Sequence, residues 1–272
     1  MVQRGTARSG EVEIAYSVRG AGDQTLLLVM GLAGRAAEWG DALLDALAAR
    51  HRVITFDNRG TGASSKPPGP YTLEGMARDA IAVLDAASVP RAHVMGLSMG
   101  GMIAQLLALD HRARVDRLVL LSTHAGGPSV TPPTPAVTEI MTAIASPKMP
   151  VRALVRARLA AITAPGFAEK FPERVDALTS LVLEQPTPMP AFLAQYQAIL
   201  DSDRRLRLSD LDVPTLVLHG DADALIPLDN GMFLADRIPA ARLVVLPACG
   251  HLATWEHPAL LAQTVLDFLA EA

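Results

Sequence analysis

The chain has 272 residues, half of them hydrophobic and only 4% aromatic, so it is long enough for one large domain with a mostly aliphatic core. Its 24 basic and 28 acidic residues give a formal net charge of −4, and no run of Lys and Arg is present to track a phosphate backbone or an anionic membrane, so neither nucleic acid nor membrane is an expected partner. The single cysteine, Cys249, excludes an intrachain disulfide and a Cys-rich zinc site.

The opening "MVQRGTARSGEVE" has no apolar run of the signal-peptide kind, and a cytoplasmic location is expected. Two short alternating segments follow one another there, "VQRGTAR" and "EVEIAYSV", hinged at Ser9-Gly10; they predict an antiparallel hairpin at a sheet edge. The pattern then changes. "TLLLVM", "HRVITFD", "AHVMGL", "RLVLLS", "TLVLHG" and "RLVVLPA" are near-continuous apolar runs, as expected for strands of a parallel sheet buried on both faces. Helical periodicity lies between them, over residues about 36–49, 73–88, 99–110, 229–237 and 258–270. Strand and helix alternate, which predicts an α/β fold.

The alternation is interrupted from about residue 124 to 210. That stretch begins with the Gly/Pro-rich "HAGGPSVTPPTP" and continues as amphipathic segments such as "VRALVRARLAAI" and "AFLAQYQAIL", each of which must bury a face. It reads as an inserted helical cap, with residues 1–123 and 211–272 forming the α/β core and 124–210 the insertion.

One stretch inside the core is unusual. "HVMGLSMGGMIA" and the residues as far as Leu109 are apolar enough to resemble a membrane segment, yet Gly96, Gly100 and Gly101 would each cost a continuous helix roughly 1 kcal/mol relative to alanine. The glycines instead mark a sharp turn between a strand and a helix, with pieces on either side too short to span a bilayer. The turn reads Gly96-Leu97-Ser98-Met99-Gly100, the pattern G-x-S-x-G, in which a strained strand–turn–helix junction lifts the serine hydroxyl above the carboxyl edge of a sheet at a helix N-terminus. A serine hydroxyl is a weak nucleophile without a base and an oxyanion site.

With these residues the sequence resembles the α/β-hydrolase family, whose catalytic residues occur in the chain order nucleophile, acid, histidine. "TLVLHG" is followed by "DADALIP", which places Asp223 at the position of the acid; "RLVVLPA" is followed by "CGHLATWEHP", which places His251 at that of the base, with Glu256 and Pro258 completing the loop pattern. "FDNRGTGASS" is similar to the family's D-x-R-G-x-G-x-S loop, and "VMGLAGRAAEW" follows the third strand with Met30 where the family usually has histidine, as in enol-lactonase-like members. The resemblance implies an eight-stranded, mostly parallel sheet flanked by helices. It also implies the roles: Ser98 attacks a carbonyl carbon, His251 takes and returns its proton, Asp223 orients the imidazole, and the backbone N–H groups of Leu32 and Met99 bind the oxyanion. No metal or organic cofactor is required.

Asp221, two residues earlier, competes with Asp223 for the role of acid but could instead cap the following turn, and Asp223 is favoured. His219, Asp221 and Asp223 together resemble a metal cluster only superficially, because the glycine and glutamate spacing of a calcium loop is absent. Asp57 and Arg59 are expected to tie their own loop together. Trp39, His124, Met141, Phe192 and Tyr196 are candidates for the substrate pocket, and their apolar character favours a hydrophobic ester over a sugar or peptide. The expected activity is cleavage of small to medium apolar carboxylic esters through an acyl-enzyme, by a monomer or homodimer. A lactonase of the 3-oxoadipate enol-lactonase kind, a perhydrolase or haloperoxidase-like activity, and a catalytically slow ligand-binding protein are the alternatives. Dehalogenases and epoxide hydrolases of the family carry aspartate where this chain has Ser98.

Overall fold

The sheet begins with an antiparallel hairpin: β1 (Val2–Ser9) pairs with β2 (Val12–Arg19) from Val2 against Arg19 to Ser9 against Val12, and the turn passes through the hinge at Ser9-Gly10. This is a computed structural model, and it describes residues 2–143, 146–239 and 241–271. From β3 (Thr25–Val29) onward the strands run parallel, through β4 (Arg52–Phe56), β5 (Ala92–Leu97), β6 (Val115–Leu121), β7 (Thr215–Gly220) and β8 (Ala241–Leu246). The eight strands lie in the order β1-β2-β4-β3-β5-β6-β7-β8, with β2 joined antiparallel to β4.

Burial explains why the central strands read as unbroken apolar runs. In β3, Leu26 and Leu28 point to one face while Leu27 and Val29 point to the other, and each pair enters a separate core cluster. β5, β6 and β7 alternate in the same way: Leu118 and Leu120 go to one cluster, Val119 and Leu121 to its opposite. One face is covered by α2 (Leu73–Ala86), α3 (Met99–Asp110) and α9 (Leu228–Arg237); the other by α1 (Asp41–Ala48) and α11 (Pro258–Leu269), which follows the single turn α10 (Ala253–Glu256). Two expectations need correction. "RLVVLPA" is not buried on both faces, because β8 is the edge strand and Val245 there is exposed. The helical pattern at 36–49 is two pieces, a short 3-10 turn at Ala36–Trp39 and α1, separated at Gly40, whose φ of 79° no helix accommodates.

Between β6 and β7 lie α4 (Pro135–Thr142), α5 (Val151–Ala161), α6 (Phe167–Lys170), α7 (Pro172–Glu184) and α8 (Met189–Leu200). Phe167, Ala168 and Val175 form a small apolar nucleus there, with Leu159 and Phe171 packed on it. α8 faces the rest of the molecule through Ala191, Gln195 and Ala198, three to four residues apart on one side of the helix. The segment closing this stretch turns back into the body of the protein, where Leu208 is wholly buried in the larger core cluster.

Candidate active site

Ser98 caps the N-terminus of α3 with φ 56° and ψ −122°, a conformation a non-glycine residue adopts only under constraint. The constraints are close neighbours. A Cβ on Gly96 would collide with the Gly100 carbonyl, and one on Gly100 with the Val29 carbonyl, so strand and helix approach more closely than any side chain permits. The Ser98 backbone is fixed on both sides, its N–H donating to the Leu121 carbonyl at 2.9 Å and its carbonyl accepting from Thr123 Oγ1 at 2.7 Å. Its side chain is left half-buried at the carboxyl edge of the sheet.

Asp223 and His251 are carried to the same edge by the loops after β7, the neighbour of β6, and after β8, which pairs with β7 at the end of the sheet. His251 Nδ1 lies 2.8 Å from Asp223 Oδ2, and the other carboxylate oxygen accepts from the N–H groups of Leu225 at 3.0 Å and Ile226 at 2.8 Å. A carboxylate so placed accepts a hydrogen bond from Nδ1–H and leaves the lone pair on Nε2. Burial opposes the ionised form of Asp223, but the His251 charge, its hydrogen bond and the Ile226 N–H outweigh it and hold the carboxyl below the usual carboxylate range. Ser98 Oγ and His251 Nε2 are not hydrogen-bonded to one another among the described residues, a spacing that a bound substrate commonly closes.

Of the two aspartates, Asp223 is the one hydrogen-bonded to the imidazole. Asp221 Oδ1 accepts from the Cys249 N–H at 3.3 Å and makes no hydrogen bond to the imidazole among the described residues. His219 turns its Nε2 to the Ile226 carbonyl at 2.7 Å. His219 Nε2 also lies 3.7 Å from Asp223 Oδ2, while Asp221 is engaged apart from them at the Cys249 N–H.

Next to Ser98 runs the loop after β3. A Cβ on Gly31 would stand 3.2 Å from Ser98 Cβ and 3.8 Å from its Oγ. Neither the Leu32 N–H nor the Met99 N–H donates to a protein acceptor among the described residues. Asn58 Nδ2 donates to the Met30 carbonyl at 2.9 Å, and Asp57 accepts from Ala36 N–H at 2.8 Å and from Ala63 N–H at 2.8 Å. Asp57 therefore ties two loops, not only its own. Arg59 instead grips Asp79 of α2 through two hydrogen bonds of 2.6 Å.

Glu256 is the buried charge whose place in the site the motif did not explain. Its Oε2 accepts from Gly250 N–H at 2.9 Å and from Ala164 N–H at 2.7 Å, and its Oε1 from Leu252 N–H at 3.1 Å. One carboxylate thereby staples both flanks of His251 to the end of the α5 turn. Burial pushes its carboxyl above the ordinary value against the pull of those three N–H groups. The approach is so close that a Cβ on Gly250 would meet the Thr163–Ala164 backbone at 2.5 to 2.6 Å, and His251 N–H itself donates to the Ile162 carbonyl at 2.7 Å.

The pocket candidates divide. Trp39 is wholly buried among Leu43, Leu47 and Phe268, and a side chain touched by no solvent-sized space does not form a pocket wall. Tyr196 is 45% exposed and stacks on half-buried Phe192, with ring centroids 6.1 Å apart, outside the inward face of α8. Met141 is half-buried near the end of α4. His124 is within electrostatic reach of His251; its Nδ1 accepts from Gly126 N–H at 3.0 Å, and burial, with Arg204 next, pushes it down to about 4. Arg204 is buried and donates to Gln105 at 3.1 Å and to the His124 carbonyl at 3.4 Å. Cys249 is buried and its thiol is pushed up by desolvation and by the neighbouring Glu256 and Asp223, which leaves it unreactive. No helix among the described residues is long and apolar enough to cross a membrane.

A family model for the alpha/beta hydrolase fold matches residues 24–258. A chain from Azorhizobium caulinodans assigned as a carbamate hydrolase, RutD, is 33% identical over 97% of this chain and 98% of its own length. Among solved structures, a hydrolase from Pseudomonas aeruginosa superposes with a TM-score of 0.83 at 32% identity, covering 99% of each chain. The enol-lactonase from Burkholderia xenovorans superposes at 0.84 with 28% identity, over 98% of this chain and all of the other.

Proposed function

From the premise that the chain belongs to the alpha/beta-hydrolase family, we propose that it is a serine hydrolase of carboxylic esters, working through an acyl-enzyme. The observation that carries this reading is the His251–Asp223 pair, 2.8 Å apart and buried, on the sheet edge where the strained Ser98 elbow opens. In this reading Ser98 Oγ attacks the substrate carbonyl while His251 Nε2 takes its proton. Asp223, held ionised, stabilises the imidazolium that forms. Negative charge gathers on the carbonyl oxygen, and the Leu32 and Met99 N–H groups receive it; one such donor is worth roughly 3 to 4 kcal/mol of transition-state stabilisation. The imidazolium then protonates the leaving alkoxide, and a water activated by the same nitrogen releases the acid and restores Ser98. The insertion over residues 124–210 acts as a cap that shapes the acyl and alcohol sites.

A lactone substrate is the second reading, supported by the likeness to the Burkholderia enol-lactonase over the whole of both chains. The chemistry is the same, except that the leaving alkoxide stays tethered to the acyl group. Both readings are tested by one experiment. Hydrolysis of p-nitrophenyl esters from acetate to long acyl chains and of a set of lactones is measured for the protein and its Ser98→Ala variant. Ester turnover that vanishes in the variant supports the first reading, lactone turnover that greatly exceeds ester turnover supports the second, and equal inertness of both proteins overturns both.

A further inference from the structure

Ala33 directly follows Leu32 and has φ 59°, in the left-handed region where a Cβ is unfavourable. Both of its backbone polar groups are held by side chains of the insertion, one on α8 and one on the link between α7 and α8. Its N–H donates to Gln195 Oε1 at 2.8 Å, and its carbonyl accepts from Thr187 Oγ1 at 2.8 Å. Gln195 is wholly buried on α8, and its amide nitrogen is also engaged, donating to the Arg59 carbonyl at 2.8 Å. Arg59 is in turn clamped on Asp79 of α2. Two residues beyond Ala33, the Arg35 guanidinium donates to the Leu181 carbonyl and, at 3.3 Å, to Gln185 Oε1, both at the end of α7.

The sheet side grips this loop only at its ends, through Asn58 at Met30 and Asp57 at Ala36. Between those points the loop closes on itself through one turn, Gly34 N–H donating to the Gly31 carbonyl at 3.2 Å, and the strained residue of that turn, Ala33, is held in place by side chains of α8 and of the link between α7 and α8. We propose that Gln195 is a positioning residue for the oxyanion site, with Thr187 as its counterpart on the other side of Ala33. The inserted helices then act on the rate of acyl transfer as well as on substrate fit: a substrate that seats α8 correctly secures the donor, and one that displaces α8 loses it. This inference rests on the serine-hydrolase reading above.

The test uses the full chain, a p-nitrophenyl ester and an alkyl boronic acid, whose tetrahedral adduct on Ser98 needs the oxyanion donors while the ground-state ester does not. Gln195→Leu removes both hydrogen bonds at similar size. Thr187→Val removes the hydroxyl at the same shape, and Thr187→Ser keeps it. The expected result for Gln195→Leu is a fall in kcat of about 10- to 100-fold, somewhat less than loss of a whole oxyanion donor, with KM nearly unchanged and boronic acid binding weakened by the same factor. Thr187→Val shows the same pattern to a smaller extent, Thr187→Ser restores the rate, and this pair decides the matter if Gln195→Leu does not fold. An unchanged kcat, a loss confined to KM with boronic acid binding intact, or a Thr187→Ser as slow as Thr187→Val overturns the proposal while leaving the hydrolase standing. A wild type with no Ser98-dependent turnover overturns both.

Discussion

The two edges of the parallel sheet treat histidine in opposite ways. At the carboxyl edge, His251 is buried with a carboxylate at 2.8 Å, and that carboxylate is itself fixed by two N–H groups. At the amino edge, His93 opens β5, the same strand that ends at Ser98, and is buried with neither ring nitrogen hydrogen-bonded among the described residues; His51 lies beside it, ring centroids 5.9 Å apart. The imidazole of His251 faces a carboxylate that can balance a positive charge. That of His93 faces no hydrogen-bond partner, and burial penalises its charged form. The open concavity bordered by Asp85, Ser88, Pro90 and Arg114 also lies at the amino edge, remote from Ser98. The proposed active site thus lies where polar groups are paired in chains, not at this hollow of the surface.

This contrast is broken most severely at the paired edge. Asp223→Asn keeps the shape and removes the charge that orients His251, and kcat for ester cleavage is expected to fall by about 10⁴-fold with little change in the thermal midpoint. Asp221→Asn, two residues away, should leave kcat within a factor of about three, since its role is a single N–H hydrogen bond worth about 1 kcal/mol; equal losses in the two variants would contradict the assignment of the acid. Glu256→Ala strands three buried N–H groups, at about 1 to 3 kcal/mol each, and is expected to lower both the thermal midpoint and kcat, because Gly250 and Leu252 flank the base.

The unpaired edge is expected to respond to acid. Burial, aided by His51, Arg117 and Arg91 and opposed by Asp116, pushes His93 from the ordinary 6.5 down to about 4. Below 6.5 the unfolded chain takes up a proton that the folded protein refuses until about 4. The stability associated with His93 is therefore full above 6.5 and lost progressively between those two values, and His51, lowered in the same direction, adds to the loss. Thermal midpoints measured across this range should fall, and His93→Leu should flatten the fall; a midpoint that rises toward acid would refute the assignment. The smallest expected effect is on the outer face of α8, where Tyr196→Ala should change kcat/KM for a short ester by no more than about two-fold, as for most exposed positions away from special features.

Legibility of this molecule in its sequence follows the range of the interactions involved. Strand runs, the Ser98 elbow and the Gly250-His251 loop are local patterns, because a buried parallel strand and a tight turn each impose their signature on a few consecutive residues. The preference for Asp223 over Asp221 rests on the family's spacing alone, since the contacts that distinguish them are made with a loop 28 residues further on. Gln195 was invisible for the same reason, its partner Ala33 being 162 positions away. Trp39 is a candidate for both pocket and core in the sequence, because an aromatic residue beside a loop and one beneath it read alike in one dimension; its full burial places it in the core. For α8, the helical period was plain, but its inward side is made of Ala191, Gln195 and Ala198, and no rule of hydrophobic patterning selects that face over one bearing Met189, Leu193, Tyr196 and Leu200.

The sealed position of Cys249 has a practical consequence. It is the chain's only cysteine, and a thiol that is buried and held protonated does not compete for thiol-directed reagents. A cysteine introduced at an exposed site such as Leu193 on α8 would be the sole reactive thiol, with no native residue to remove first. A fluorophore attached there would report directly whether the helices over the site move when an ester binds.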